Sequence, residues 1–315
     1  MKQYNNGAIH AVFFGTHDFA ATMLQALFDD PRISVELVVT QPDKLVGREQ
    51  KLTEPPVKAL AIKNNIAFEQ PSSLKTYHLS PITYHLGVTA QYGLLIPTHI
   101  FTAFPLGILN VHTSLLPKYR GASPIQSALI NGETETGVTI MKMDEGLDTG
   151  PILLQQKVPI DADETYPMLE QKLAPIAAKL LLDAIPKYVS GELAPVPQDN
   201  SQATFCRELT RDDGRIDWNR PAREIYNQYR GMTPWPGVWT MWGGKRLKLL
   251  RIAPVETQDV ASLPAGTVKV DHDRIHIGCT TGAIEVFELQ LEGKKEIAVK
   301  IFLRGYRSID HGILA

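Results

Sequence analysis

The feature that most constrains this chain is a change of hydrophobic rhythm near residue 208. Before it, short apolar runs alternate with stretches of helical spacing. Residues 8–14 form an apolar run that stops at Gly15, and 18–28 then place Phe19, Met23, Leu24 and Leu27 at a period of three to four. Further runs over 35–40, 87–90 and 107–112, with a helical stretch over 56–64 that turns Val57, Leu60 and Ala61 inward, continue the alternation. Such a pattern folds as an open, mainly parallel sheet with helices on both faces, because parallel strands need crossover connections. Ser123-Pro124 opens a helix that Asn131-Gly132 closes. A longer helix, capped by Asp163 or Thr165, carries Leu169, Leu173, Ile176, Leu180 and Leu181, with Pro175 predicting a kink or a break.

Beyond 208 the pattern becomes mostly strand. Runs over 238–242, 246–252, 266–270, 274–277 and 283–291 are separated by turn signals, Gly243-Gly244 being a hairpin turn, and together they predict a small antiparallel barrel. A short helix precedes them, with Asn219 as cap, Pro221 in the first turn, and Ala222, Ile225 and Tyr229 on one face. Between the two regimes, 190–208 lose periodicity around Gly191, Pro195 and Pro197. The expected organisation is therefore a sheet domain over 1–189, a linker over 190–208 and a barrel over 209–315.

Composition matters in two places. With 43% apolar and 21% charged residues in 315, the chain can bury a sizeable core and is not a disordered or fibrous sequence. The formal charge of −2 conceals an asymmetry: 16 basic and 21 acidic residues lie up to 208, against 16 and 13 after it, so the barrel is the basic half. Two cysteines, Cys206 and Cys279, cannot build a disulfide framework or a metal cluster, no run approaches a membrane span, and no leader is evident. A cytoplasmic protein with no membrane association is expected, and a monomer.

Ligands of open α/β sheets sit beyond the carboxyl ends of the strands, here just after Phe14, Ala90 and Asn110. Asn110 and His112, two apart at such an end, point the same way, and an amide beside an imidazole suits the stabilisation of a developing oxyanion. Downstream, Asp144, Glu145 and Asp148 lie in a glycine-bearing loop, where a carboxylate could orient the ring or could simply close an Asx turn; spacing does not choose among them. Gly15 does not begin a G-x-G-x-x-G, so no dinucleotide site is expected.

The run Asn110-Val111-His112-Thr113-Ser114-Leu115-Leu116-Pro117-Lys118-Tyr119-Arg120-Gly121-Ala122-Ser123-Pro124-Ile125-Gln126 resembles the signature of the folate-dependent formyltransferases. So do the stretch from Glu135 to Gly150, Phe14-Gly15-Thr16, Arg215-Ile216-Asp217-Trp218 and Pro234-Trp235-Pro236-Gly237, which spread the resemblance over nearly the whole chain. It implies a Rossmann-like catalytic domain followed by an OB-like barrel. The branch it most resembles carries the formyl group of 10-formyltetrahydrofolate to the amino group of initiator methionyl-tRNA, and that folate and that tRNA are the implied co-substrate and partner. The family's catalytic Asn, His and Asp fall on Asn110, His112 and Asp148, and the resemblance alone selects Asp148 over Asp144. Its folate pocket falls on Gln91, Tyr92, Gly93 and Leu94, on Ser114, Leu115, Leu116 and Pro117, and on the stretch from Met141 to Asp148 that includes Asp144. No metal is expected.

The segment 40–52 resembles the family's basic insertion for the tRNA acceptor end, with Arg48 and Lys51 as candidate contacts and Glu49 as an acidic departure. Lys245, Arg246 and Lys248 are the candidates on the barrel. His17 and Gln91 also depart from the family's usual residues. The alternatives are a sugar-nucleotide N-formyltransferase, a formyltetrahydrofolate hydrolase, for which the barrel would have no role, and a non-catalytic RNA-binding homologue.

Overall fold

The computed structural model describes residues 7–47, 50–79, 84–255 and 263–315. Its described residues fall into two compact units, the first within Met1–Gly121, Glu135–Pro159 and Glu170–Cys206, the second within Ala122–Thr134, Ile160–Leu169 and Arg207–Ala315.

The first unit is built on seven strands. β1 (Ile9–Gly15), β2 (Ile33–Val39), β5 (Phe68–Glu69), β6 (Leu86–Ala90) and β7 (Ile108–His112) are mutually parallel, while β9 (Glu135–Lys142) and β10 (Ile152–Pro159) add an antiparallel edge, in the order β10-β9-β7-β6-β1-β2-β5. The central strands read as continuous apolar runs because both faces are covered: Val12, Phe13, Phe14, Val88 and Leu109 are fully or almost fully buried. The cover includes α1 (Asp18–Asp29), α2 (Pro56–Lys63), the short α3 (Thr98–Phe101) and the part of α5 (Tyr166–Ser190) that belongs to this unit. α5 runs on through Pro175 and Pro186, so the break expected at Pro175 does not occur. Pro175 lies on the solvent side, while Leu173, Ala177, Leu181 and Ala184 continue a buried stripe past it, and that burial outweighs one lost hydrogen bond.

Within 40–52 the chain forms a hairpin that sequence periodicity did not reveal, β3 (Lys44–Val46) against β4 (Lys51–Thr53). Leu45 and Leu52 face each other across it, both about 60% exposed, so no buried face marked these strands. One more pairing matters for the site. β8 (Arg120–Gly121) lies parallel to β11 (Phe205–Cys206), bringing the end of the expected linker back against the strand that follows His112.

The second unit packs α4 (Pro124–Ile130) against α6 (Ala222–Met232), whose N-cap is Pro221 rather than Asn219. Its antiparallel sheet has the order β12 (Val238–Trp242), β13 (Lys245–Val255), β16 (Ala283–Leu291), β15 (Arg274–Gly278), β14 (Val268–Asp271), with β17 (Ile297–Ala298) on β16. Gly243 and Gly244 both have positive φ in the two-residue β12–β13 turn, the geometry that matches strand twist and that glycine adopts freely. The two edge strands are joined by the last five residues. His311, Ile313 and Leu314 pair with the Gly266–Val268 stretch, and Ala315 exchanges two backbone hydrogen bonds with Met241. Inside lie Leu247, Leu249, Ile277, Ile284, Leu289 and Phe302, the last from α7 (Val299–Gly305). Cys206 and Cys279 are free and buried, one in each unit.

Candidate active site

β7 ends between β6 and β9, and its last residues carry the polar groups that the apolar strand does not need. Asn110 and His112 share a strand face and converge on Asp148. Asn110 Nδ2 donates to Asp148 Oδ1 at 3.3 Å, and His112 Nδ1 lies 3.7 Å from Asp148 Oδ2, with the imidazole 6% and the carboxylate 16% exposed. His112 Nε2 is 2.9 Å from the Tyr119 carbonyl, which can only accept, so that nitrogen carries the proton and Nδ1 faces the carboxylate. The second oxygen of Asp148 is held by the Gly121 backbone N–H at 2.9 Å. One carboxylate thus orders an amide, a backbone donor and an imidazole edge.

The neighbouring carboxylate is engaged differently. Asp144 Oδ1 accepts from Gly146 N–H at 3.1 Å and from Thr149 Oγ1 at 2.6 Å, closing the loop on itself in the Asx manner. Asp148 has φ of 50°, in the left-handed region, and this re-aims its side chain out of the turn toward β7.

A cavity of about 530 Å³ opens in front of Asn110 and Asp148, with His112 set behind them and outside its wall. Asn110, Asp144 and Asp148 form part of its wall, and Gln91, Tyr92, Gly93 and Leu94 form another part, so these expected site residues come together. Met141, Met143, Ile96 and Tyr92 make the rest largely apolar. Leu95 and Leu147, 81% and 60% exposed, stand at its edge, an arrangement suited to a flat ring with a few polar anchors. Burial pushes the Tyr92 phenol up to about 12, so it stays neutral. The 91–94 loop is pinned from behind, since Thr16 Oγ1 and Gln41 Nε2 both donate to the Tyr92 carbonyl at 2.8 and 2.7 Å. Gln91 turns its amide away onto α5, donating to Glu170 Oε1 at 3.0 Å.

Ser114, Leu115, Leu116 and Pro117 lie outside this cavity wall. Ser114 is fully buried with its hydroxyl donating to the Lys118 carbonyl, and the Leu116 N–H donates to Thr139 Oγ1. A broader groove of about 830 Å³ along α1, α2 and α5 contains none of the strand-end residues. Among the described residues, no group of three His, Cys, Asp or Glu side chains is placed to hold a metal ion.

Of the basic candidates, Lys51 is exposed on β4, and Arg48 and Glu49 lie outside the described residues. Arg246 and Lys248 alternate with buried Leu247 and Leu249 and so share the outer face of β13, where the Arg246 guanidinium sits 3.9 Å from the Trp239 ring centroid. Lys245 is exposed at the hairpin.

Sequence reasoning missed Tyr119, Gly121, Arg120 and Gln198, which support the cluster. Gln198 Nε2 donates to the carbonyls of Asp148 and Gly150 at 2.8 and 2.7 Å, and its Oε1 accepts from buried Arg120. Tyr119 and Gly121 act through their backbone, Arg120 stands in the signature run without a role that its position reveals, and Gln198 stands in a stretch with no periodicity.

An amide, an imidazole and a carboxylate thus meet at a strand end beside an apolar cavity, in a chain whose later part is an antiparallel sheet domain. Residues 9–185 match the Formyl transferase family and 208–307 match Formyl transferase, C-terminal domain, and the chain belongs to that family. It is similar to the methionyl-tRNA formyltransferase of Caldicellulosiruptor saccharolyticus, 41% identical over 94% of this chain and 96% of the relative, and to that of Acidobacterium capsulatum, 44% identical over 93% and 96%. In fold it is similar to an N-formyltransferase from Helicobacter canadensis solved with folinic acid and dTDP-3-aminofucose, at a TM-score of 0.66 and 19% identity over 89% of this chain and 98% of that one. The methionyl-tRNA formyltransferase from Clostridium thermocellum aligns with a TM-score of 0.52 and 19% identity over 78% and 93%.

Proposed function

We propose that this protein transfers the formyl group of 10-formyltetrahydrofolate to the α-amino group of initiator methionyl-tRNA. The observation that carries this reading is the similarity at about 40% identity, over more than nine-tenths of both chains, to methionyl-tRNA formyltransferases. The folate is supported by the family and by the apolar cavity beside Asn110. Asn110, His112 and Asp148 are the residues we assign to the chemistry.

The groups present account for the reaction. The neutral amine attacks the formyl carbon, a new C–N bond forms, and negative charge gathers on the formyl oxygen. An α-amino group titrates near pH 8, so a useful neutral fraction exists at pH 7. Asn110 spends one amide hydrogen on Asp148 and keeps the other for the oxyanion, with His112 held beside it by the Tyr119 carbonyl and Asp148. These interactions strengthen as charge develops, which is the condition for lowering the barrier. Collapse breaks the bond to N10 of the folate, and the proton lost by the attacking amine passes by way of Asp148 and water to N10, so that none is gained or lost overall.

The test uses purified protein, 10-formyltetrahydrofolate and charged initiator tRNA, with a dTDP-amino sugar as competing acceptor. Formyl-methionyl-tRNA should accumulate, the sugar should remain unmodified, and His112→Ala should lower kcat by about 100-fold or more. No product with tRNA, or an undiminished variant, would overturn the reading.

A further inference from the structure

We infer that Gln198 is a positioning residue for formyl transfer, holding the Asp148 turn through a brace with the buried Arg120; this rests on the reaction proposed above. Asp148 is a non-glycine residue at φ of 50°, a conformation that persists only where its surroundings impose it. Gln198 supplies that constraint. Both its amide hydrogens are used on one turn, to the carbonyls of Asp148 at 2.8 Å and Gly150 at 2.7 Å. Its carbonyl oxygen accepts from Arg120 Nε at 3.1 Å and Nη2 at 2.7 Å, so every hydrogen-bonding site of the side chain is filled.

Arg120 is 3% exposed and is held from the far side by Asn200 Oδ1 at 2.7 Å. The next residue, Gly121, gives its N–H to the Asp148 carboxylate at 2.9 Å. A closed circuit results: the backbone of Asp148 is tied to Gln198, Gln198 to Arg120, and the residue after Arg120 to the side chain of Asp148. Two further contacts keep the circuit in register. Val196 and Ile152 exchange backbone hydrogen bonds at 2.8 Å each, which ties the chain two residues before Gln198 to the start of β10, and Cys206 pairs with Gly121 on the opposite flank. The polar groups that aim Asp148 at Asn110 and His112 therefore come from residues that touch neither the cavity nor any reacting atom.

Gln198→Glu and Gln198→Ala test this. Glu keeps an oxygen for Arg120 but sets another against two carbonyl oxygens, so packing survives while the donors are lost. Both variants should lower kcat by about 10- to 100-fold, since small misplacement of a reacting group has that effect, with KM for folate and for tRNA within about twofold. Hydrogen exchange over residues 143–152 should rise in both variants. Unchanged kcat in both, or a loss of kcat matched by an equal loss of folate binding and of thermal stability, overturns the inference. A wild-type protein that forms no formyl-methionyl-tRNA sinks the functional reading instead, and the exchange measurement then stands by itself: unaltered protection of 143–152 rejects the brace.

Discussion

At the scale of single residues, two backbone conformations, at Asp148 and Gly121, shape the cluster around Asn110 and His112. Asn110 and His112 were legible because strand parity puts them on one side of β7 at the end where ligands meet a parallel sheet. The choice between Asp144 and Asp148 was not legible, because it turns on which carboxylate the loop consumes for itself. Gly121 was equally silent. Its φ is 118°, and a Cβ there would lie 2.1 Å from the Cys206 carbonyl oxygen. Gly121→Ala should therefore part β8 from β11 and pull the N–H donor off Asp148. The expected result is a loss of about 2 kcal/mol in chemical denaturation, together with a fall in kcat larger than any rise in KM.

At the scale of elements, the central strands were readable as continuous apolar runs, and the Gly243-Gly244 hairpin was readable from its turn chemistry. What escaped was structure stabilised from outside its own sequence. The β3–β4 hairpin has no buried face, α7 buries only Val299, Phe302 and Leu303, and the last five residues show no period at all. Yet those five residues join the edges of β12 and β14 and bury Leu314 to 3% exposure. Removing residues 311–315 should expose both strand edges and cost about 2–3 kcal/mol for the leucine alone, visible as a lower melting temperature and increased self-association in light scattering. A truncated protein with unaltered melting would mean that the tail does not hold the sheet.

At the scale of the whole molecule, the overall charge of −2 averages an acidic first part with a more basic second part, and the average carries no information about a polyanionic partner. Arg246 and Lys248 on the outer face of β13, with Lys245 beside them, are the groups proposed to meet tRNA phosphates. Reversing Lys245 and Arg246 to Glu should raise KM for tRNA, leave KM for folate unchanged, and flatten the dependence of log KM on log salt by about 0.9 for each phosphate no longer neutralised. Equal changes in both KM values would point to misfolding. The change from alternating strand and helix to mostly strand was visible in the rhythm of the sequence, but the interleaving of the chain was not, since 122–134 and 160–169 group with the later residues only through tertiary packing.

The pairing of β8 with β11 has a consequence for the order in which the protein can be made. All seven strands of the first sheet are present once Pro159 has been synthesised, and α5 is complete at Ser190. The supports of Asp148 come later, from Val196, Gln198 and Cys206. The strands of this sheet are therefore complete before the residues that hold Asp148 have been made. For anyone cutting the sequence into pieces, stopping after the last helix of the sheet removes the supports of Asp148, and stopping after Cys206 still removes the later residues with which 122–134 and 160–169 group.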